Sequence, residues 1–240
     1  MLSIKNLTKV YKGGKVAVSN LCIEVQAGDI YGFIGQNGAG KTTTIKSVVG
    51  IHDFDEGEIK IDGISIKEKP ILCKEKMAYI PDNPDLYEYL TGIQYLNFIA
   101  DMYKIPSDIR QERIKNEAQD FGILNNLGDL ISSYSHGMKQ KLAIIGALIH
   151  EPKLLVLDEP FVGLDPEATL KLKEKMHKLC SMGSAIFFST HVLDVAEKLC
   201  NRIAIISNGK LVIEGETAKL TKEKSLEDVF MGVINHDKAD

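Results

Sequence analysis

The stretch "GQNGAGKTT", residues 35–43, constrains this 240-residue chain more than any other. It matches G-x-x-x-x-G-K-[ST] from Gly35 to Thr42, between a short apolar strand pattern, "DIYGFIG" at 29–35, and a helical one, "KTTTIKSVVG" at 41–50. Glycines at this spacing let successive backbone N–H groups curl around phosphate oxygens, and the helix start behind them adds partial positive charge. Gly35, Asn37, Gly38, Ala39 and Gly40 therefore form a cradle, with Lys41 reaching for the outer phosphates and Thr43 in the first turn. The Thr42 hydroxyl is placed to ligate Mg²⁺. A glycine-rich turn can meet the pattern by chance, but here the flanks are the ones the chemistry requires.

A second stretch answers the first. In "LLVLDEP", 154–160, four apolar residues put Asp158 at the C-terminal end of a buried strand, where ligands gather in open α/β sheets. An aspartate there holds Mg²⁺, directly or through water. Glu159 is placed to polarise an attacking water. Taken alone, a strand-end glutamate reads as readily as a salt-bridged acid; beside a phosphate loop the catalytic reading is preferred. The two motifs together predict a P-loop NTPase that hydrolyses its nucleotide.

The rest of the chain supplies the frame. Alternating strand patterns fill roughly the first 27 residues, and "GEIKIDGISIK" at 57–67 reads as a hairpin around Asp62-Gly63. From about 88 to 150 the apolar residues recur at helical spacing, as in Ile93, Leu96, Ile99 and Met102. Strand and helix patterns alternate again from 153, ending in a hairpin that turns at Asn208-Gly209 and a polar tail, "INHDKAD". This order predicts an α/β fold: a mostly parallel sheet with flanking helices, an antiparallel β subdomain and an inserted α-helical subdomain. A net charge of −4 argues against non-specific nucleic-acid binding. Cys22, Cys73, Cys180 and Cys200 have no metal-ligand spacing and fit a reducing cytoplasm. The strongest apolar stretch, "LAIIGALI" at 142–149, is far short of a membrane span, so any membrane role runs through a partner.

"YSHGMKQK", 134–141, reads first as a helix start, with Ser135 as its cap ahead of Met138, Leu142, Ile145 and Ile149. Adjacent Ser135 and His136 are poor evidence for a catalytic pair, because such partners are selected by geometry. Together with the residues after it, through "LLVLDEPFVGLDP", this stretch resembles the ATP-binding cassette family, whose LSGGQ signature precedes the Mg-binding strand by a similar distance. Ser135 and Gly137 are kept; Tyr134, His136 and Met138 depart from it. The resemblance covers nearly the whole chain and implies one nucleotide-binding domain over 1–240. Within it, 88–150 is the helical subdomain and 211–240 the C-terminal hairpin strand and tail.

The resemblance implies further roles. Tyr11 stacks on adenine with Val16 packing nearby, although one strand-end tyrosine also reads as a packing residue. Ser135 and the amides near Gly137 contact the γ-phosphate of ATP held by a second ATPase in a head-to-tail dimer, which a homodimer satisfies. Asp165, in "GLDP", belongs to a loop that crosses that interface, and His191, in "STH", is the switch histidine at the γ-phosphate. At the position of the family's glutamine the chain has Asp82, in "YIPDNPDLYEYLT". Asp82 reads as an oxygen ligand to Mg²⁺ that alters hydrolysis without abolishing it, or as a plain turn residue. The implied function is the ATPase of an ABC transporter on the cytoplasmic membrane face, using ATP and Mg²⁺ and driving separate transmembrane permease subunits. The length and motif wording resemble multidrug and bacteriocin export systems; a soluble family member, such as an iron–sulfur cluster assembly factor, is the alternative.

Overall fold

A computed structural model describes residues 1–237, with side chains described through Gly232. The chain opens with two long strands, β1 (Leu2–Val10) and β2 (Val16–Val25), and a short buried one, β3 (Ile30–Ile34). Helix α1 (Lys41–Val48) comes directly after the phosphate loop. The hairpin of β4 (Glu56–Ile61) and β5 (Ile64–Ser65) turns at Asp62-Gly63, both at positive φ as a tight hairpin turn requires. A one-turn helix, α2 (Pro70–Lys74), too short to show periodicity, leads to β6 (Met77–Ile80). Three helices come next: α3 (Gly92–Met102), α4 (Ser107–Asp120) and α5 (His136–Leu148). The chain then alternates through β7 (Leu154–Asp158), α6 (Pro166–Ser181), β8 (Ala185–Thr190) and α7 (Leu193–Leu199). Strands β9 (Arg202–Ser207) and β10 (Lys210–Glu216) form the last hairpin.

Two sheets result. The antiparallel one has order β2-β1-β4-β5; the larger has order β10-β9-β3-β8-β7-β6 and is parallel except at β10. Period-2 alternation along the parallel strands divides their side chains between two cores. Ile30, Ile34, Leu155, Leu157, Ile186 and Phe188 pack against the helices α3 to α6. Tyr31, Phe33, Leu154, Val156 and Phe187 face the antiparallel sheet and α1. The near-continuous apolar runs of β3, β7 and β8 reflect burial on both faces. Register pairs Ile34 with Thr190 and Asp158 with Ser189, so β3, β8 and β7 end level. The phosphate loop after β3, His191 after β8 and Glu159 after β7 therefore emerge at one edge, as expected of open parallel sheets.

Helix starts in the inserted block have identifiable causes. Thr91 and Gln94 form a reciprocal capping box at α3, and Ser135 Oγ accepts the Met138 N–H at 3.3 Å at α5. Tyr134, a departure from the family signature, is buried, and its hydroxyl donates to the Asn126 carbonyl at 2.6 Å. Gly92 makes room for it, since a Cβ there would collide with that hydroxyl.

The segment 211–240, expected as a hairpin strand and a polar tail, departs from that reading. After β10 it forms α8 (Thr217–Leu220) and α9 (Leu226–Asp237), so the first four residues of "INHDKAD" are helical; 238–240 lie outside the described residues. The cause is apolar spacing. Leu226 is fully buried, Val229 and Phe230 share its face, and all three pack on the helical-side core. Ser225 and Asp228 cap the start reciprocally, at 3.1 and 3.2 Å.

At the base of the helical block, Tyr103 and His150 stack with ring centroids 3.6 Å apart and planes 10° from parallel. Burial lowers the His150 pKa from 6.5 to about 4. The unfolded chain therefore takes up a proton that the native state refuses. Stability is complete above the unfolded pKa and is lost as pH falls from 6.5 towards about 4. The expected loss is a few kcal/mol at about 1.4 kcal/mol per pKa unit. His150→Phe keeps the stack and should flatten that part of the stability profile in urea titrations at several pH values; an unchanged profile refutes the assignment.

Candidate active site

The phosphate loop is seated by close backbone contact. A Cβ on Gly35 would lie 2.6 Å from the Ile206 carbonyl, and one on Gly40, at φ 109°, 2.5 Å from the Ala17 carbonyl. Only glycine fits both places. The Gly209 N–H donates to the Ala39 carbonyl at 2.9 Å, so the turn of the last hairpin braces the loop from outside. Asn208, Gly209, Lys15, Ala17 and Gln36 line the cleft with the predicted residues. In the sequence Asn208-Gly209 reads only as a turn, because its contact with the loop joins residues far apart in the chain.

The cleft encloses about 420 Å³ and brings together Tyr11, Val16, Asn37, Gly38, Gly40, Lys41, Thr42, Thr43, Asp82, Asp158 and Glu159. At its outer end Tyr11 and Val16 are exposed, and the Tyr11 hydroxyl lies 3.2 Å from Thr43 Oγ1. They offer an apolar lip suited to a planar base. At its inner end Lys41 is buried, donating to the carbonyls of Gly35 at 2.7 Å and Gln36 at 3.2 Å. Burial lowers its ammonium pKa, while Glu159, 3.8 Å away, and Asp158 pull it back up.

Asp158 is 1% exposed. Its Oδ1 accepts the Ser189 hydroxyl, and its Oδ2 is buried with no protein partner. A buried carboxylate oxygen without a partner is costly unless a ligand completes it. The neighbouring Thr42 hydroxyl adds a second hard oxygen, a donor set that suits Mg²⁺. Among the described residues no three His, Cys, Asp or Glu side chains converge to hold a metal alone, so remaining ligands would come from phosphates and water. Glu159 comes next at φ 48°, an unusual value for a non-glycine residue, with its N–H donating to the Ser189 carbonyl and hydroxyl, each at 3.2 Å. Its carboxylate lies 2.9 Å from His191 Nδ1. Nothing in the local sequence marks Ser189, whose partners are set by the alignment of β7 with β8.

Ser135, Gly137 and Asp165 do not line this cleft. They form a second cluster. A Cβ on Gly137 would come within 3.0 Å of the Gly163 carbonyl, the His136 ring lies over Gly163, and Lys141 pairs with Asp165 at 2.6 Å. The Ala168 N–H and then Lys141 lower the Asp165 pKa. The site residues of one chain thus fall into two groups.

A glycine-rich loop between strand and helix, facing an Asp-Glu strand end on a parallel sheet, defines a nucleotide-binding P-loop protein. The family model described as ABC transporter matches residues 18–162, more than half the chain. The Bacillus subtilis ABC-type transporter ATP-binding protein EcsA is 34% identical over 242 residues, covering 99% of this chain and 98% of EcsA. The linearmycin resistance ATP-binding protein LnrL of the same organism is 33% identical, over 92% of this chain and 70% of LnrL. A solved ATP-binding subunit of an ABC transporter superposes with a TM-score of 0.93 at 32% identity, over 98% of this chain and 99% of that one. The chain belongs to the ABC transporter family as an ATP-binding subunit, and it is an ATPase. Among the described residues no helix is long and apolar enough to cross a membrane.

Ser189→Ala should leave both Asp158 oxygens without a protein partner and loosen Glu159. A stability loss of about 1–3 kcal/mol is expected in chemical denaturation. ATP turnover should fall about ten- to a hundredfold through misplacement. Unaltered turnover would remove Ser189 from the positioning of the two acids.

Proposed function

We propose that this chain powers transport, in the export direction, through separate membrane subunits. Two copies join head to tail on the cytoplasmic membrane face, so that each ATP lies between one copy's phosphate loop and the other's Ser135, Gly137 and Asp165. The observation that carries the reading is the separation of the site into two clusters: a cleft with Lys41, Thr42, Asp158 and Glu159, and a cluster outside it at the start of α5. A helix start carrying a serine hydroxyl suits an anion supplied from outside the chain. The relative named for linearmycin resistance supports the export direction.

In this reading Lys41 exchanges the Gly35 and Gln36 carbonyls for the outer phosphates as ATP enters. Tyr11 stacks on the base, with Val16 beside it. The loop amides of Gly35, Asn37, Gly38, Ala39 and Gly40, with Thr43, hold the phosphate chain. Thr42, Asp158 and Asp82 would hold Mg²⁺, which when bound neutralises phosphate charge and orients the γ-phosphate. Glu159 accepts the proton of the attacking water, and His191, hydrogen-bonded to it, holds the carboxylate towards the γ-phosphate. The γ-phosphorus gains the water oxygen and loses its bond to the β–γ bridging oxygen.

The membrane partner docks on the helical block. Tyr87, Tyr89 and Phe98 form an exposed aromatic group, with Tyr87 5.9 Å from Tyr89 and 5.7 Å from Phe98. A cavity of about 170 Å³ lies beside them, walled by Pro81, Pro84 and Leu86 and by Tyr95, Tyr103 and His150. The loop between β6 and α3 borders this cavity and, at Asp82, the nucleotide cleft.

Glu159→Gln should retain ATP and accumulate as a dimer in size-exclusion chromatography, with phosphate release reduced roughly 10²- to 10⁴-fold. Wild-type turnover in that variant would falsify the role of Glu159. Tyr87→Ala combined with Phe98→Ala should keep basal ATP turnover within about twofold and lose co-purification with the membrane subunit. Undiminished co-purification would place the docking surface elsewhere.

A further inference from the structure

Asp82 brings a third carboxylate into the nucleotide cleft, beside Asp158 and Glu159. The cations there do not balance it. Lys41 is held by two loop carbonyls and lies 3.8 Å from Glu159. Lys15 stands at the opposite end, its carbonyl bonded to the Tyr11 N–H at 2.9 Å. Asp82 accepts the neighbouring Asn83 N–H at 2.9 Å, and among the described residues no lysine or arginine pairs with it. Asp82 also faces Tyr79, in the wall of the neighbouring cavity: burial raises the Tyr79 phenol pKa, and Asp158 and Asp82 raise it further. The Asp158 Oδ2, buried and unpartnered, faces the same problem of an anion awaiting a cation.

Resting on the ATPase reading, we propose that Asp82 makes nucleotide binding depend on the metal: it repels metal-free ATP and admits the nucleotide as its Mg²⁺ complex. Metal-free ATP carries about two more negative charges than that complex, so an exposed carboxylate in the cleft wall with no cation partner repels it more strongly than the metal complex. A neutral side chain at position 82 removes one repelling charge from the phosphate end while leaving Lys41, Thr42 and the loop amides in place. The preference for the metal complex should therefore shrink, chiefly because metal-free nucleotide binds better. Asp82 acts here as a specificity-determining residue, distinct from the turn role that its contact with Asn83 also serves.

The test measures binding rather than turnover, with β,γ-imido ATP as probe in isothermal titration calorimetry, once in excess Mg²⁺ and once in EDTA. The ratio of Kd in EDTA to Kd in Mg²⁺ should be about tenfold larger for the wild type than for Asp82→Asn. Asn keeps an oxygen for the Asn83 N–H, so the turn is preserved while the charge is lost. Asp82→Glu, which keeps the charge, should hold the ratio within about threefold of wild type. An Asp82→Asn ratio equal to that of the wild type overturns the proposal, as does an Asp82→Glu ratio as small as that of Asp82→Asn. Failure of the wild type to bind the probe under either condition overturns the ATPase reading and this proposal together.

Discussion

The hydroxyl of Ser189 holds the floor of the cleft in place. Donating across the β7–β8 register to Asp158 and accepting the Glu159 N–H, it positions the two consecutive acids at the end of β7. The bond is buried and charge-assisted, the kind that contributes most when water is excluded. One Asp158 oxygen is consumed by it, which leaves the other facing the cleft without a partner. The positive φ of Glu159 then turns its side chain back towards Lys41 and His191. Without level strand ends these groups would be spread along a sheet edge.

That arrangement sets the electrostatics of the cleft. Lys41 is screened from water but surrounded by carbonyls and by Glu159, so its charge is satisfied internally until phosphate competes for it. A buried ammonium at Lys41 and an unpartnered carboxylate oxygen at Asp158 would suit an anion and a cation bound together, the pairing that a metal–nucleotide complex offers. The second cluster has the opposite character. Its groups are already satisfied: Asp165 caps α6 and pairs with Lys141, and Ser135 caps α5. A capping oxygen does not exclude a proposed binding role there, because the amides beside it belong to the same helix end.

The inserted helices and the nucleotide cleft share the loop between β6 and α3, bordered by Pro81, Pro84 and Leu86 on one side and reaching the cleft through Asp82. Side chains on one short segment thus belong to two cavities.

Much of this is legible in the residues. The phosphate loop, the Asp-Glu strand end, the hairpin turns at Asp62-Gly63 and Asn208-Gly209 and the helical spacing after residue 88 are local patterns, written in neighbouring residues and read by period and turn chemistry. The motif order resembles one family closely enough to predict the two-part site. Helix α2 escapes such a reading because one turn carries no periodicity, and α9 because Leu226, Val229 and Phe230 sit among polar residues that disguise their shared face. Linear order suffices for the fold class and for which residue types meet phosphate, since those depend on adjacent backbone geometry. Three-dimensional packing alone decides that Ser189 holds Asp158 and that Gly209 braces the loop. Each of those contacts joins strands or turns distant in sequence, and only sheet register determines such distances.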